Sequence, residues 1–130
     1  MRFMMLMIPN VPDEADWTPS AEAVAAMTRY NEELTKAGAL LSLDGLHPGS
    51  KGARVSFAGG RPSVTDGPFA EAKELIGGYW LIQARSKEEA VEWASRCPAH
   101  DGDVIEVRQV FELTDFPPDV QEAAGFTPPS

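Results

Sequence analysis

Asp66-Gly67-Pro68 opens the stretch of this chain with the greatest capacity for chemistry. Glycine tolerates positive φ and proline presets φ, so the triplet is a turn signal that holds the backbone beside the Asp66 carboxylate. Glu71, Lys73 and Glu74 follow within a few residues, then Gly77-Gly78, and Tyr79 to Ile82 reads as a buried strand. A polar loop between two strands is a natural place for binding or catalysis. Asp66 offers a carboxylate for acid/base work, Lys73 a cation for an anionic ligand, and Tyr79 a phenol. His47, in the Gly/Pro-bounded loop Gly45 to Gly49, adds an imidazole, a group that titrates near neutrality and that Asp66 could orient. The competing readings are plain ones: a turn that only joins two strands, a loop histidine, a surface lysine and a core tyrosine.

Other chemistries lack their signatures. There is no G-x-S-x-G elbow, no Walker loop and no G-x-G-x-x-G after a strand, so no nucleotide cofactor is implied. Gly59-Gly60 reads as a hairpin turn, not a phosphate cradle. His47, His100 and the nearby acids have no metal-ligand spacing, so no metal is expected. His100, beside Asp101 and Asp103, reads as surface loop.

Bulk composition narrows the partners. The chain has 130 residues, which suits one domain, and 20 acidic against 11 basic residues give a formal charge of −9. Such a surface repels nucleic-acid backbone and anionic membrane. Cys97 is the single cysteine, which suits a reducing cytoplasm and a packing role. The apolar start, Met1 to Ile8, stops at Pro9 with no cleavage pattern, and reads as a strand and not as a signal peptide.

The elements that must position these groups follow in order. Residues 2–8 form a central strand. Thr18-Pro19 opens a helix with Thr18 as cap, and Ala23, Met27, Tyr30 and Leu34 line its buried face. Gly38 ends it, and 39–43 is a short strand. Residues 54–57 and 62–65 form a hairpin about Gly59-Gly60. One helical turn is expected around 70–74, then a strand over 79–84. Ser86-Lys-Glu-Glu89 is a capping box for a second helix with Ala90, Trp93, Ala94 and Cys97 on its apolar stripe. Residues 104–113 form the last strand. In it Ile105, Val107 and Phe111 should face the helices, while Glu106 and Arg108 project from the other side, as an ion pair, as exposed charges or as part of a site. From 114 the chain is Pro-rich and reads as an arm or a frayed end. This order, β-α-β-hairpin-β-α-β, predicts an α+β ferredoxin-like fold with an inserted hairpin. Both helices then lie on one sheet face, and a second copy is the simplest cover for the other.

Thr65-Asp-Gly-Pro-Phe69, Glu71, Lys73 and Gly77-Gly-Tyr-Trp80 together resemble the signature of DGPF-domain proteins of the YCII-related superfamily. Gly45-Leu46 with Pro48, Ala90 to Ala94 and Glu106 to Arg108 extend the likeness, which sets a domain over 1–113 and an arm over 114–130. The resemblance implies a homodimer of the dimeric α+β barrel type and matches Asp66, Glu71, Lys73, Gly78 and Tyr79 to the motif. Some similar proteins use a His–Asp pair with the histidine on the first helix. Here Tyr30 and Asn31 stand in that region, so His47 would have to supply the imidazole from its loop.

The resulting expectation is a small enzyme with Asp66 and His47 as catalytic groups. Lys73, Arg108, Tyr79 and Glu71 would bind a small polar ligand in a cleft that Asp66, Lys73 and Arg108 share. The alternative is a ligand-binding or regulatory module without catalysis, which the frequent pairing of similar proteins with sigma factors suggests.

Overall fold

The computed structural model describes residues 1–11, 14–67 and 75–125. Strand β1 (Arg2–Ile8) lies at the centre of a four-stranded sheet; its apolar run buries Phe3 and Met5 on one face and half-buries Met4 and Leu6 on the other. It pairs antiparallel with β5 (Gly78–Gln83) on one side and β6 (Val104–Gln109) on the other. Strand β2 (Leu40–Gly45) pairs antiparallel with β5, giving the order β2-β5-β1-β6. Strands β3 (Ala53–Ala58) and β4 (Arg61–Asp66) form a separate two-stranded sheet. Gly59 and Gly60 turn it with φ of 59° and 77°, values that glycine adopts without a Cβ clash. The architecture is ferredoxin-like α+β with the expected inserted hairpin.

Helix α1 (Ala21–Lys36) and helix α2 (Lys87–Ser95) cover one sheet face. Phe3, Met5, Trp80 and Ile82 point up from the sheet into Tyr30 and Leu34 of α1 and Ala90 of α2, and all are buried. The Tyr30 hydroxyl donates to the Trp93 carbonyl at 2.6 Å, which ties α1 to the end of α2. Burial holds that phenol far above its ordinary pKa, so it stays a donor. Cys97 lies just past α2 against the same core, and burial pushes its thiol up to about 11. A thiol so placed packs and does not attack.

Ser86 caps α2 as expected, accepting from the Glu89 amide. For α1 the cap is Ser20, which accepts from Ala23, and not Thr18. A residue before proline is pushed to extended backbone, so Thr18 stays outside and the helix begins after Pro19.

Strand β6 also ends earlier than its apolar pattern suggests. The Val110 amide bonds to the Arg2 carbonyl, and beyond it Glu112 is fixed by Arg2 through bonds of 2.7 and 3.1 Å. The chain then enters a 3-10 turn at Leu113–Asp115 and a short helix α3 (Pro118–Ala123). Phe111, expected to face the helices, is 70% exposed and stacks on Phe116 at 4.8 Å instead. The expected helical turn around 70–74 lies outside the described residues.

The Arg2 pair gives a pH test. Its hydrogen bond holds the Glu112 carboxyl below the usual carboxylate range. A depressed carboxylate stabilises the fold above its unfolded pKa and loses that contribution as pH falls through its folded pKa. Thermal melts of wild type and Glu112→Gln should therefore differ most at neutral pH and converge in acid. A difference that persists unchanged at pH 2 would mean that the pair is not the cause.

The second face of the sheet carries Met4, Leu6, Leu81 and Tyr79 at its centre. Glu106 and Arg108 flank them, because Met4 lies opposite Leu81 and Arg108, and Leu6 opposite Tyr79 and Glu106. Helices α1 and α2 are both on the other side. Among the described residues no helix is long and apolar enough to cross a membrane.

Candidate functional site

One end of the four-stranded sheet holds a cavity of about 760 Å³. That volume lies in the roughly 300–1,000 Å³ range of small-molecule sites. Strand residues Met7, Leu43, Asp44, Gly78, Tyr79 and Trp80 supply the sheet side of the lining, and α1 adds Met27 and Asn31. The segment after β1 contributes Val11, Glu14 and Trp17; the loop after β2 contributes Leu46, His47 and Lys51. The lining is thus mostly apolar and aromatic, with a few polar groups that converge.

Hydrogen bonds fix these walls to one another. The Trp17 indole donates to the Leu46 carbonyl at 2.9 Å, and Glu14 Oε1 accepts from the Ser50 amide at 3.1 Å. These two bonds join the 9–19 segment to the loop that carries His47. The Leu46 amide bonds to the Gly77 carbonyl, and the Gly77 amide to the Met7 carbonyl. Within the lining, the Trp80 indole donates to Asn31 Oδ1 at 2.8 Å and its ring meets Tyr30 edge-on at 5.9 Å. The double glycine follows from crowding at this point. A Cβ on Gly78 would stand 2.9 Å from the Asp44 carbonyl, and one on Gly77 3.0 Å from the Pro9 ring.

Asp44 and Tyr79 are direct cross-strand neighbours, and the Tyr79 hydroxyl donates to Asp44 Oδ2 at 2.9 Å. That bond to a carboxylate raises the phenol's pKa, with some desolvation adding to it. At neutral pH the pair is therefore a protonated phenol bonded to a carboxylate that has a second oxygen to offer. His47 is three residues beyond Asp44 in the same lining. All three residues border the cavity, but alternation puts the Asp44 and Tyr79 side chains on the second sheet face, opposite the Trp80 and Asn31 wall. An exposed carboxylate and a half-buried phenol at this end of the sheet, with an imidazole in the adjoining loop, can bind a polar group, take a proton from it or return one.

The cavity brings together two of the expected residues, His47 and Tyr79. Asp66 ends β4, exposed, opposite Ala53 in the hairpin, and Arg108 is exposed on the second face of β6; neither lines the cavity. Lys73 and Glu71 lie outside the described residues. The cleft expected to be shared by Asp66 and Arg108 is therefore not this one, and the carboxylates of this cavity among the described residues are Asp44 and Glu14. Asp66 is nonetheless tied to the rim. The Gly67 amide bonds to the Gly52 carbonyl at 3.0 Å, and a Cβ on Gly67 would overlap the Gly49 carbonyl. Glycine is required there because the turn sits directly on the loop that carries His47 and Lys51. Asp44, Glu14, Trp17, Asn31 and Lys51 complete a lining that motif reading did not single out.

The family model of the YCII-related domain matches residues 1–114. The chain is also similar to the uncharacterized protein R00369 of Rhizobium meliloti (strain 1021), with 34% identity over 68 residues. That alignment covers 52% of this chain and 55% of the relative, so the chain spans about half the length of the curated relative it matches.

Proposed function

This chain belongs to the YCII-related family, and from that premise we propose that it binds a small polar ligand in the sheet-end cavity and acts on it by acid/base chemistry. The observation that carries this reading is the 2.9 Å bond from Tyr79 to Asp44, two residues that border the cavity His47 also lines. Asp44 accepts a proton or orients the ligand through its second oxygen. Tyr79 stays protonated and donates, and His47 carries the proton to or from solvent. Asp66 acts from the rim in this reading, because Gly67 is seated on the loop that carries His47. The largely apolar lining also favours a second reading, in which the ligand is bound without turnover.

The protein works as a homodimer on the second sheet face. Half-buried Met4, Leu6 and Leu81 form its apolar centre, and Glu106 and Arg108 supply a polar edge, the usual order of an interface.

A thermal-shift screen of small polar metabolites tests the ligand. A ligand present at 100 times its Kd should stabilise the fold by about 2.7 kcal/mol. His47→Ala and Tyr79→Phe should each weaken that shift. Release of a changed product separates catalysis from binding alone. A hit whose shift is the same in wild type and both variants would overturn the assignment of this cavity.

A further inference from the structure

We propose that Asn31 is the ligand-recognising residue on the helix side of the sheet-end cavity, and that it recognises a neutral carbonyl oxygen on a compact, largely apolar molecule. The inference rests on the cavity reading above and names the ligand class that cavity takes. Asn31 and Met27 lie one turn apart on α1, so both reach the same wall of the cavity. The Trp80 indole donates to Asn31 Oδ1 at 2.8 Å. An indole N–H can only donate, so the oxygen of the Asn31 amide, and not its nitrogen, must face Trp80.

The two ends of an amide diverge from one carbon, so fixing the oxygen fixes the nitrogen as well. Trp80 is buried and packed edge-on against Tyr30, which holds the oxygen end in place. Asn31 Nδ2 has no hydrogen bond among the described residues. Nor is it walled in: no side-chain nitrogen or oxygen among the described residues is both buried and unpaired. Asn31 is half-buried and lines the cavity, so its amide N–H groups open on that space. A donor held at a fixed angle in a cavity reads an acceptor on the ligand.

The rest of the lining identifies what carries the acceptor. Met7, Trp17, Met27, Leu43 and Trp80 give an apolar and aromatic surface, which suits a body with few polar atoms. Charge decides between a carboxylate and a neutral carbonyl. Lys51 is the one lysine or arginine in the lining among the described residues, and Glu14 and Asp44 border the same cavity. Two carboxylates outweigh one ammonium, and the chain as a whole carries −9, so an anion meets net repulsion on entry. A ketone, ester or amide keeps the acceptor without the charge.

The test is a nuclear magnetic resonance titration of the full chain with three probes. Acetophenone carries a neutral carbonyl on a ring, cumene has the same shape without an acceptor, and benzoate has the same ring with a charge. The chain has two asparagines, Asn10 and Asn31, so the Asn31 side-chain amide can be assigned and followed. Its protons should move further downfield with acetophenone than with cumene. Asn31→Asp keeps an oxygen for Trp80 and replaces the donor by a second oxygen, while Asn31→Leu removes the donor without adding charge. Acetophenone should bind each variant at least about 10-fold more weakly, the scale of one net hydrogen bond, and cumene should bind Asn31→Leu within about twofold of wild type. Equal losses for acetophenone and cumene in both variants would overturn the role of Asn31 and leave the cavity as the binding site. Benzoate that binds as tightly as acetophenone, and depends equally on Asn31, would overturn the neutral class. Acetophenone that moves none of the cavity resonances would overturn the carbonyl class, whereas the cavity reading itself is decided by the thermal shifts of His47→Ala and Tyr79→Phe.

Discussion

Asparagine in place of Asp44 is expected to lower turnover, or ligand affinity if binding is the whole function, by at least about 100-fold, the low end of what a positioned acid/base group contributes. The substitution keeps the side-chain shape and a hydrogen-bond acceptor for Tyr79. It removes the negative charge that can take a proton. The fold should survive, because Asp44 is exposed at the end of β2 and takes no part in the core. An independent readout needs no ligand. Tyr79 owes its raised pKa first to the hydrogen bond with Asp44. The chain has two tyrosines, and burial governs the other, Tyr30. An ultraviolet titration of Asp44→Asn should therefore show one phenol ionising at lower pH than in wild type, with the second unchanged. Two unchanged phenols would mean that the pair does not form in solution.

Alanine at Trp80 should give the largest loss of stability, about 3–5 kcal/mol for a buried aromatic truncated to a methyl group. Total stabilities are about 5–15 kcal/mol, so the variant would be close to unfolding at physiological temperature. Trp80 is buried between β1 and β2, meets Tyr30 edge-on and donates its indole proton to Asn31. Truncation leaves a cavity and an amide oxygen without its donor. Trp80→Phe separates these contributions: it keeps most of the volume and loses the bond, so about 1–2 kcal/mol is expected. Denaturant unfolding measures both. Equal losses from the two variants would show that the hydrogen bond, and not the packing, holds α1 to the sheet.

The apolar run of β1, the alternation of β6 and the capping box at Ser86 lie in local residue types, so the four-stranded sheet and α2 were legible from the chain. So was the hairpin, because Gly59-Gly60 admits the positive φ that a two-residue turn needs. Phe111 was misplaced because an alternating pattern does not show where the last rung falls; that was decided by Arg2, more than 100 residues away. Asp44 was missed because Asp-Gly is a turn signal and the strand was ended at Leu43; β2 runs on to Gly45 and pairs Asp44 with Tyr79. His47 and Tyr79 were found because their residue types sit beside glycine-rich turns. Asp66 stood out for the same reason, yet the close packing of Gly67 on Gly49 ties that part of the signature to the backbone of the rim.

The most direct measurement is a crystal structure of the protein with the tightest small molecule from the thermal-shift screen. The ligand should lie in the sheet-end cavity, within hydrogen-bond distance of Asp44 or the Tyr79 hydroxyl and against His47. A well-ordered ligand bound instead beside Asp66 or Arg108, with the cavity unoccupied, would contradict the account.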